Sequence, residues 1–178
     1  NIHLFAVFFT LILLLTQIAV LVSWDRQGGS AEAKSIYVSS TGSTYSSIQA
    51  AVNAASPYDS IYIAPGSYGG HVNVNKEGLR LIGNDTKTTY LVVSDMPAVL
   101  TLNADNIIIS NFNFSATDYN GEGVRVNNVT GAEVRFCEFL TMGPFSQGIV
   151  LNGSRDCILQ DLFFDAEWAS VRGLNASD

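Results

Sequence analysis

Acidic side chains and an arginine recur in the stretches that separate the apolar segments of the second half of the chain. Two carboxylates at a defined separation can hydrolyse a glycosidic bond, with one acting as the acid and the other as the nucleophile or base. Solvated loop charges are the alternative interpretation of the same residues. The catalytic candidates are Asp118, Glu122, Asp165, Glu167 and Arg125.

Aromatic and amide side chains accompany these charges in the same loops. Their rings can stack on the faces of sugars, and amides and carboxylates can form hydrogen bonds with hydroxyl groups. The same groups also occur on ordinary solvated loops. The carbohydrate-binding candidates are Tyr119, Phe145, Gln147 and Trp168. Outward positions on the adjoining strands are predicted at Thr101, Arg125, Val150 and Arg172.

The elements that must position these side chains repeat with a period of 25 residues. Alternating apolar positions predict short strands, and a repeat of this length buries its apolar side only by stacking on its neighbours. The pattern predicts an all-β parallel β-helix, a β-solenoid with coils of about 25 residues. The recurring sets are Ile107, Ile109, Phe112 and Phe114, then Ala132, Val134, Cys137 and Phe139, then Cys157, Leu159, Leu162 and Phe164.

An asparagine follows the first strand of each coil. Asparagine tolerates the left-handed backbone conformation, and its amide can bond the asparagine of the next coil. The sequence therefore predicts a column of asparagine turns along the solenoid. The turns contain Leu102-Asn103, Val126-Asn127, Leu151-Asn152 and Leu174-Asn175.

Composition limits the classes of partner. Only 14% of the residues are charged and the net charge is -7, which argues against nucleic acid because phosphate binding relies on clustered Lys and Arg. His3 and His71 are isolated and predict neither a metal site nor a cofactor. Cys137 and Cys157 occupy columns five residues apart along the coil, which exceeds the ~7 Å Cα limit for a bridge. Two buried thiols are predicted instead.

The N-terminus carries an apolar segment over residues 2–22 that is long enough to cross the ~30 Å hydrocarbon core of a membrane. Residues 1–33 are predicted to be a signal peptide cleaved after Ala33 or a retained membrane anchor, and a pilin-like core helix is a third alternative. All three place the β-helix domain, residues 34–178, outside the cytoplasm: extracellular, at the cell surface or periplasmic. Because the segment from Leu174 resembles the one from Leu102, which leads directly into a strand, later coils are predicted to be missing.

Asn-x-Ser/Thr triplets fit an exported, glycosylated protein, although an Asn-rich solenoid also produces them by chance. Asn113 lies between the inward Phe112 and Phe114, and its side chain is therefore predicted to point outward. The predicted glycosylation positions are Asn84, Asn113, Asn128, Asn152 and Asn175.

A short helix is predicted before the repeats, within a cap over residues 45–57. Ile48, Ala51, Val52 and Ala55 fall on one helical face, Ser46 or Ser47 can cap the start, and Pro57 ends the helix. Such a helix would cover the open end of the solenoid and shield its strand edges from aggregation.

The cap and the strand that follows resemble the N-terminal cap of right-handed parallel β-helix proteins of the pectin-lyase-like superfamily. The resemblance rests on residues 45–55, YSSIQAAVNAA, and residues 56–68, SPYDSIYIAPGSY, which end in the APG-S/T-Y turn of that superfamily. The later repeats resemble its NosD-like and generic surface β-helix branches.

The resemblance implies a protein that binds or processes extracellular or cell-surface polysaccharide. An enzyme of this kind would be a polysaccharide lyase or a glycoside hydrolase, and a lyase would need Ca²⁺-binding carboxylates and a base, for which Arg125 and Arg172 are the nearby candidates. The alternatives are a non-enzymatic surface, adhesion or structural solenoid and a NosD-like periplasmic accessory protein. The accessory role is disfavoured because no His or Met cluster is present to suit copper.

Overall fold

The computed structural model describes residues 32–94, 98–117, 120–165 and 171–174. The apolar segment at residues 2–22, with its signal-peptide or anchor prediction, lies outside these residues. Within the described ranges, no helix has the length and apolar character needed to cross a membrane.

One short helix and fourteen strands make up the described part of the chain. The helix α1 runs from Ile48 to Ala54. The strands are β1 Ser35–Val38, β2 Ser60–Ile63, β3 Gly66–Gly69, β4 Val72–Val74, β5 Arg80–Gly83, β6 Thr89–Val93, β7 Ala98–Leu102, β8 Ile108–Ser110, β9 Asn113–Ala116, β10 Glu122–Asn127, β11 Glu133–Met142, β12 Gln147–Asn152, β13 Ile158–Phe164 and β14 Val171–Leu174.

The strands wind into an all-β parallel solenoid of about five coils. The five-stranded sheet has the order β14-β12-β10-β7-β4. The nine-stranded sheet contains two ladders joined at β11 and β13: the first ladder is β1, β2, β5, β8 and the N-terminal halves of β11 and β13. The second ladder is β3, β6, β9 and the C-terminal halves of the same two strands. Every described strand pairing is parallel, as the repeat predicted.

The predicted apolar columns form the core. In the first ladder Val134 pairs with Ile109 and with Leu159. In the second ladder the ring of Phe139 stacks on that of Phe114 at 5.1 Å and on that of Phe164 at 4.8 Å. Identical side chains meet because parallel coils in register place equivalent residues one strand spacing apart. The 25-residue period is therefore confirmed between the coils that carry β8, β11 and β13, whereas earlier steps of the first ladder span 20 and 28 residues.

The predicted asparagine column is confirmed for three of its turns and extends one coil further back. The amide of Asn103 donates to Asn73 at 2.7 Å, that of Asn127 to Asn103 at 3.2 Å, and that of Asn152 to Asn127 at 3.4 Å. We call these four residues the asparagine corner. Each bond joins one coil to the next, so the corner fixes the strand register along the solenoid.

The last described strand corrects the predicted register. Asn152 pairs with Leu174, and Leu151 pairs with Gly173. The prediction that Leu174 stands in the column of Leu151 is therefore wrong by one residue. The observed register instead keeps Arg172 beside Val150, in the predicted outward column.

The helix α1 caps the N-terminal end as predicted. Ile48, Ala51 and Val52 are buried, and the Ser47 hydroxyl accepts a hydrogen bond from the Ala50 N–H at 3.2 Å. This side-chain cap satisfies one of the N–H groups that a helix start leaves unpaired. At the other end, the Lys76 ammonium donates to carbonyls at the end of the helix, including that of Asn53 at 2.6 Å, and complements the helix dipole.

The two cysteines are free, as the column argument predicted. Cys137 pairs with Leu162 in the ladder, and its burial raises the pKa of the thiol to about 12. Cys157 is only half-buried, so the prediction of two buried thiols is not met at this position. It lies in a coil with one described neighbour in its ladder, which leaves one side less covered.

Candidate functional site

The described residues include five of the nine predicted catalytic and carbohydrate-binding positions. These are Glu122, Arg125, Phe145, Gln147 and Asp165. The other four lie outside the described residues: Asp118, Tyr119, Glu167 and Trp168.

Glu122 and Arg125 meet on the outer face of β10. The Arg125 Nε donates to Glu122 Oε2 at 2.6 Å, and its Nη2 donates to Oε1 at 2.5 Å. An odd spacing normally puts two strand residues on opposite faces. The backbone at Gly123 interrupts this alternation, and a Cβ at that position would come within 2.7 Å of the Phe139 ring. The absence of a side chain at Gly123 thus lets the strand pass the core and brings the carboxylate to the guanidinium.

Gln147 is the third member of this site. It pairs with Glu122 in the adjacent strand of the five-stranded sheet. Its Oε1 is buried and accepts no hydrogen bond from the described residues. A buried amide oxygen without a donor is costly, so a donor that reached this atom after a turn of the Gln147 side chain would be bound favourably. We refer to Glu122, Arg125 and Gln147 as the β10 cluster.

The neighbouring strands of the five-stranded sheet continue the column of Arg125 along the solenoid axis. Arg125 lies between Thr101 and Val150, and Val150 lies beside Arg172. The predicted register of this column is therefore confirmed, but only Arg125 and Arg172 reach the surface, because Thr101 is 8% exposed and Val150 is 1% exposed. Phe145, which is 53% exposed, lies in the loop just before Gln147. The face thus offers a guanidinium, an amide and a nearby aromatic ring on a regular strand surface.

Asp165 does not join the β10 cluster. It is exposed after β13, and its N–H donates to the Phe139 carbonyl at 3.2 Å, which continues the second ladder. Its carboxylate forms no hydrogen bond with either Glu122 or Arg125. Because the Glu122 carboxylate is engaged by Arg125, these described residues do not present the two carboxylates that glycoside hydrolysis requires.

Calcium was implied only by the superfamily resemblance. In the described ranges, no three His, Cys, Asp or Glu side chains cluster in a way that could hold a metal ion. Glu122 is also a poor calcium ligand here because both of its oxygens accept from Arg125. The described residues do not fit the ion, and no chemistry is assigned to it.

A groove on the outer face of the first ladder was not predicted. It has a volume of about 490 Å³ and is lined in part by Tyr58, Arg80, Asn106 and Glu133. The Tyr58 hydroxyl donates to Glu77 at 2.5 Å, and this hydrogen bond raises the pKa of the tyrosine. The sequence signal was the outward column Ser60, Arg80, Ile108 and Glu133, which alternates with the core positions.

A second unpredicted contact joins a loop to a distant strand. The Lys87 ammonium lies 2.8 Å from Glu138 Oε1, and the Thr86 hydroxyl donates to the same oxygen at 2.8 Å. The hydrogen bond from Lys87 holds the pKa of Glu138 below its ordinary value and raises that of Lys87. We call these three residues the clasp.

The clasp corrects one predicted glycosylation position. Asn113 was expected to point outward into solvent, but it is only 2% exposed. It lies between Tyr90 and Glu138 in the second ladder, and the loop that carries Thr86 and Lys87 crosses this position to reach Glu138. The alternation prediction failed because a contact from another coil covers the outer face.

The other four predicted glycosylation positions differ in exposure. Asn84 and Asn128 are exposed, whereas Asn152 is half-buried and donates its amide within the asparagine corner. Asn175 lies outside the described residues.

Comparisons with solved structures identify the fold. One pectin methylesterase in complex with a hexasaccharide matches with a TM-score of 0.58 at 13% identity, over 78% of this chain and 52% of that chain. Another hexasaccharide complex gives a TM-score of 0.56 at 13% identity, over 76% and 54%. The chain therefore shares the right-handed parallel β-helix fold of these structures. Pectin methylesterase PemA from Erwinia chrysanthemi shares this β-helix, with a TM-score of 0.55 at 14% identity, over 80% and 52%.

The β-helix described here spans about half the length of those pectin methylesterases. No protein-family profile matches the chain. No curated protein matches it either.

Proposed function

We propose that this protein is exported and binds an acidic extracellular or cell-surface polysaccharide on the outer face of its five-stranded sheet. The observation that carries the proposal is the β10 cluster, in which a guanidinium, a carboxylate and an unpartnered amide oxygen share one face. The fold likeness to pectin methylesterases, two of them in complex with hexasaccharides, supports this class of ligand.

Each side chain of the β10 cluster has a distinct role in this proposal. The half-buried Gln147 side chain turns outward, so that its Oε1, which is buried in the free protein, accepts a hydrogen bond from a sugar hydroxyl and gains the donor that it lacks. Arg125 binds a sugar carboxylate with the N–H groups that face away from Glu122, because a guanidinium has five donors. Arg172, one coil beyond Val150 in the same column, adds a second cation for an anionic chain.

Binding, rather than cleavage, is the activity that the described side chains support best. Arg125 and Glu122 neutralise each other, and Glu122 therefore lacks the free, solvated form of a nucleophile. Turnover by residues on further coils would be additional to this binding site. The alternative of a non-enzymatic structural solenoid, in which the β-helix is a rigid spacer, differs from the proposal in one respect, since it predicts no affinity for polysaccharide.

Titration calorimetry with polygalacturonate and with a neutral glucan tests the proposal. Gln147→Ala should weaken polygalacturonate binding by about 2- to 12-fold, the effect of one neutral hydrogen bond. Arg125→Lys keeps the charge but loses the planar donor fork, and should weaken binding further. The neutral glucan should bind more weakly than polygalacturonate to the unmodified protein.

Arg155→Ala is the matched control, because Arg155 is exposed in a turn that follows the same sheet. It removes a full positive charge, a larger change than Arg125→Lys, from a different surface and should leave the affinity unchanged. Circular dichroism should give equal β content for all variants. No affinity for either polysaccharide would support the spacer alternative, and equal weakening by Arg155→Ala would show that the attraction is nonspecific.

A further inference from the structure

The predicted glycosylation triplets separate into accessible and inaccessible positions once the coils are stacked. We propose that Asn84 and Asn128 carry N-linked glycans in the folded protein and that Asn113 and Asn152 do not. The inference rests on the export included in the proposed function, but it is independent of polysaccharide binding.

Asn128 projects from the corner between β10 and β11. Asn128 has a left-handed backbone, with φ of 51°, and is exposed to solvent. The N–H of Asn128 donates to the Asn152 carbonyl at 2.8 Å, which anchors the turn through the main chain. A Cβ at Gly153 would come within 2.4 Å of the Asn128 Oδ1, so the glycine of the next coil leaves room for this side chain. The main chain holds the position, and the amide remains outside the core.

Asn84 is exposed in the loop that follows β5. Its amide donates only a long hydrogen bond, 3.4 Å, to the exposed Thr88 hydroxyl. Its N–H instead donates to the buried Thr89 hydroxyl at 3.1 Å. The loop conformation is again set by the main chain, and a glycan on the side chain displaces one weak, solvent-exposed contact.

Asn113 and Asn152 have no such freedom. Asn113 is 2% exposed beneath the loop of the clasp, and a glycan there could not fit without opening the second ladder. Asn152 is half-buried, unlike the exposed Asn84, and it donates its amide to Asn127 of the preceding coil, so a glycan there would open the asparagine corner. Modification at either position would break contacts between coils.

The chemical step requires a lipid-diphosphate-linked oligosaccharide as co-reactant. The amide nitrogen of asparagine attacks the anomeric carbon, the bond from that carbon to the diphosphate oxygen breaks, and a C–N bond forms. The lipid diphosphate leaves with the bonding electron pair, and a base accepts the amide proton. No electron is gained or lost by an external reagent.

The two proposed glycans border the first ladder at opposite ends of its strands. Asn84 follows the end of β5, whereas Asn128 precedes the start of β11. Both strands belong to the ladder through β8.

Expression of the full chain behind a eukaryotic signal sequence tests the proposal. Glycosidase release in heavy-oxygen water, followed by peptide mass spectrometry, marks each occupied asparagine in the secreted protein as an ¹⁸O-labelled aspartate. Labelling at Asn84 and Asn128 with none at Asn113 and Asn152 is the expected result. This measurement needs no variant and is unaffected by folding defects of mutants.

Variants then assign each glycan to its triplet. Asn84→Gln and Thr130→Ala should each remove one glycan from the secreted protein, and the second keeps Asn128 in its turn. Asn113→Gln is the control at a covered position and should leave the glycan count unchanged. Occupancy of Asn113 or Asn152 in secreted protein, or absence of glycan from either Asn84 or Asn128, would overturn the proposal. Polysaccharide binding is measured separately, so its failure would leave this result intact.

Discussion

The asparagine corner and the clasp join coils of the same solenoid in different ways. In the corner, each asparagine bonds its counterpart one coil away, at distances between 2.7 and 3.4 Å. In the clasp, Thr86 and Lys87 reach Glu138 across Asn113. Glu138 lies two strands from Tyr90 in the second ladder, with Asn113 between them. A repeated contact distributes its stabilisation over all coils, whereas a single contact orders one loop. The repeat therefore preserves the fold, and the isolated contact changes which surface is exposed.

Removal of the core beneath both contacts should have the largest effect. Phe139→Ala deletes a fully buried ring that stacks on two neighbours and should lower the free energy of unfolding by about 3–5 kcal/mol. Urea denaturation measures the loss. Phe163→Ala, at a position 54% exposed on the same strand as Phe164, is the control and should cost much less. Similar losses for the two variants would contradict the assignment of the phenylalanine column as the core.

An intermediate effect is expected from the asparagine corner. Asn127→Ala removes two hydrogen bonds, one to Asn103 and one from Asn152, and should cost about 1–3 kcal/mol in the same assay. Gln160→Ala removes an exposed amide from β13 and serves as the control. If the two variants lose the same stability, the column does not hold the coils in register, and its difference from the clasp disappears.

The smallest effect is expected from the clasp, because Lys87 is 74% exposed and solvent screens such pairs. Lys87→Met should nevertheless change the pH dependence of stability. The folded pKa of Glu138 is lowered, so its contribution is present above the ordinary glutamate pKa of about 4.3 and is lost as the pH falls. The folded pKa of Lys87 is raised, so its contribution is present below the ordinary lysine pKa of about 10.4 and is lost as the pH rises.

Urea midpoints between pH 3 and pH 7 measure this difference. Lys87→Met should flatten the acid limb of the stability curve, and added salt should reduce the difference between the two proteins. Lys34→Met is the control with the same charge change, because Lys34 is exposed and lies directly before β1. An unchanged acid limb in Lys87→Met would mean that the clasp does not hold the loop in solution.

Different parts of the site were predictable to different degrees. The column of Thr101, Arg125 and Val150 followed from alternation, because the register of stacked coils transfers each outward residue to its neighbour. The contact between Glu122 and Arg125 did not follow, since strict alternation separates residues three apart on a strand. A Cβ at Gly123 would collide with the Phe139 ring and with the Gly148 carbonyl oxygen, and both of these belong to other strands, so the sequence of β10 alone does not reveal the break in alternation.

The sequence by itself determined the period of the later coils, the inward columns and three of the four members of the asparagine corner, because these repeat and each coil contacts a nearly identical neighbour. Only the tertiary structure decided which outward residues are accessible. Asn113 has the alternation of an exposed residue, yet a loop from another coil covers it and bonds Glu138 beyond it. A periodic pattern reports the direction of a side chain relative to its own strand, whereas burial also depends on non-repeating segments that pack above it.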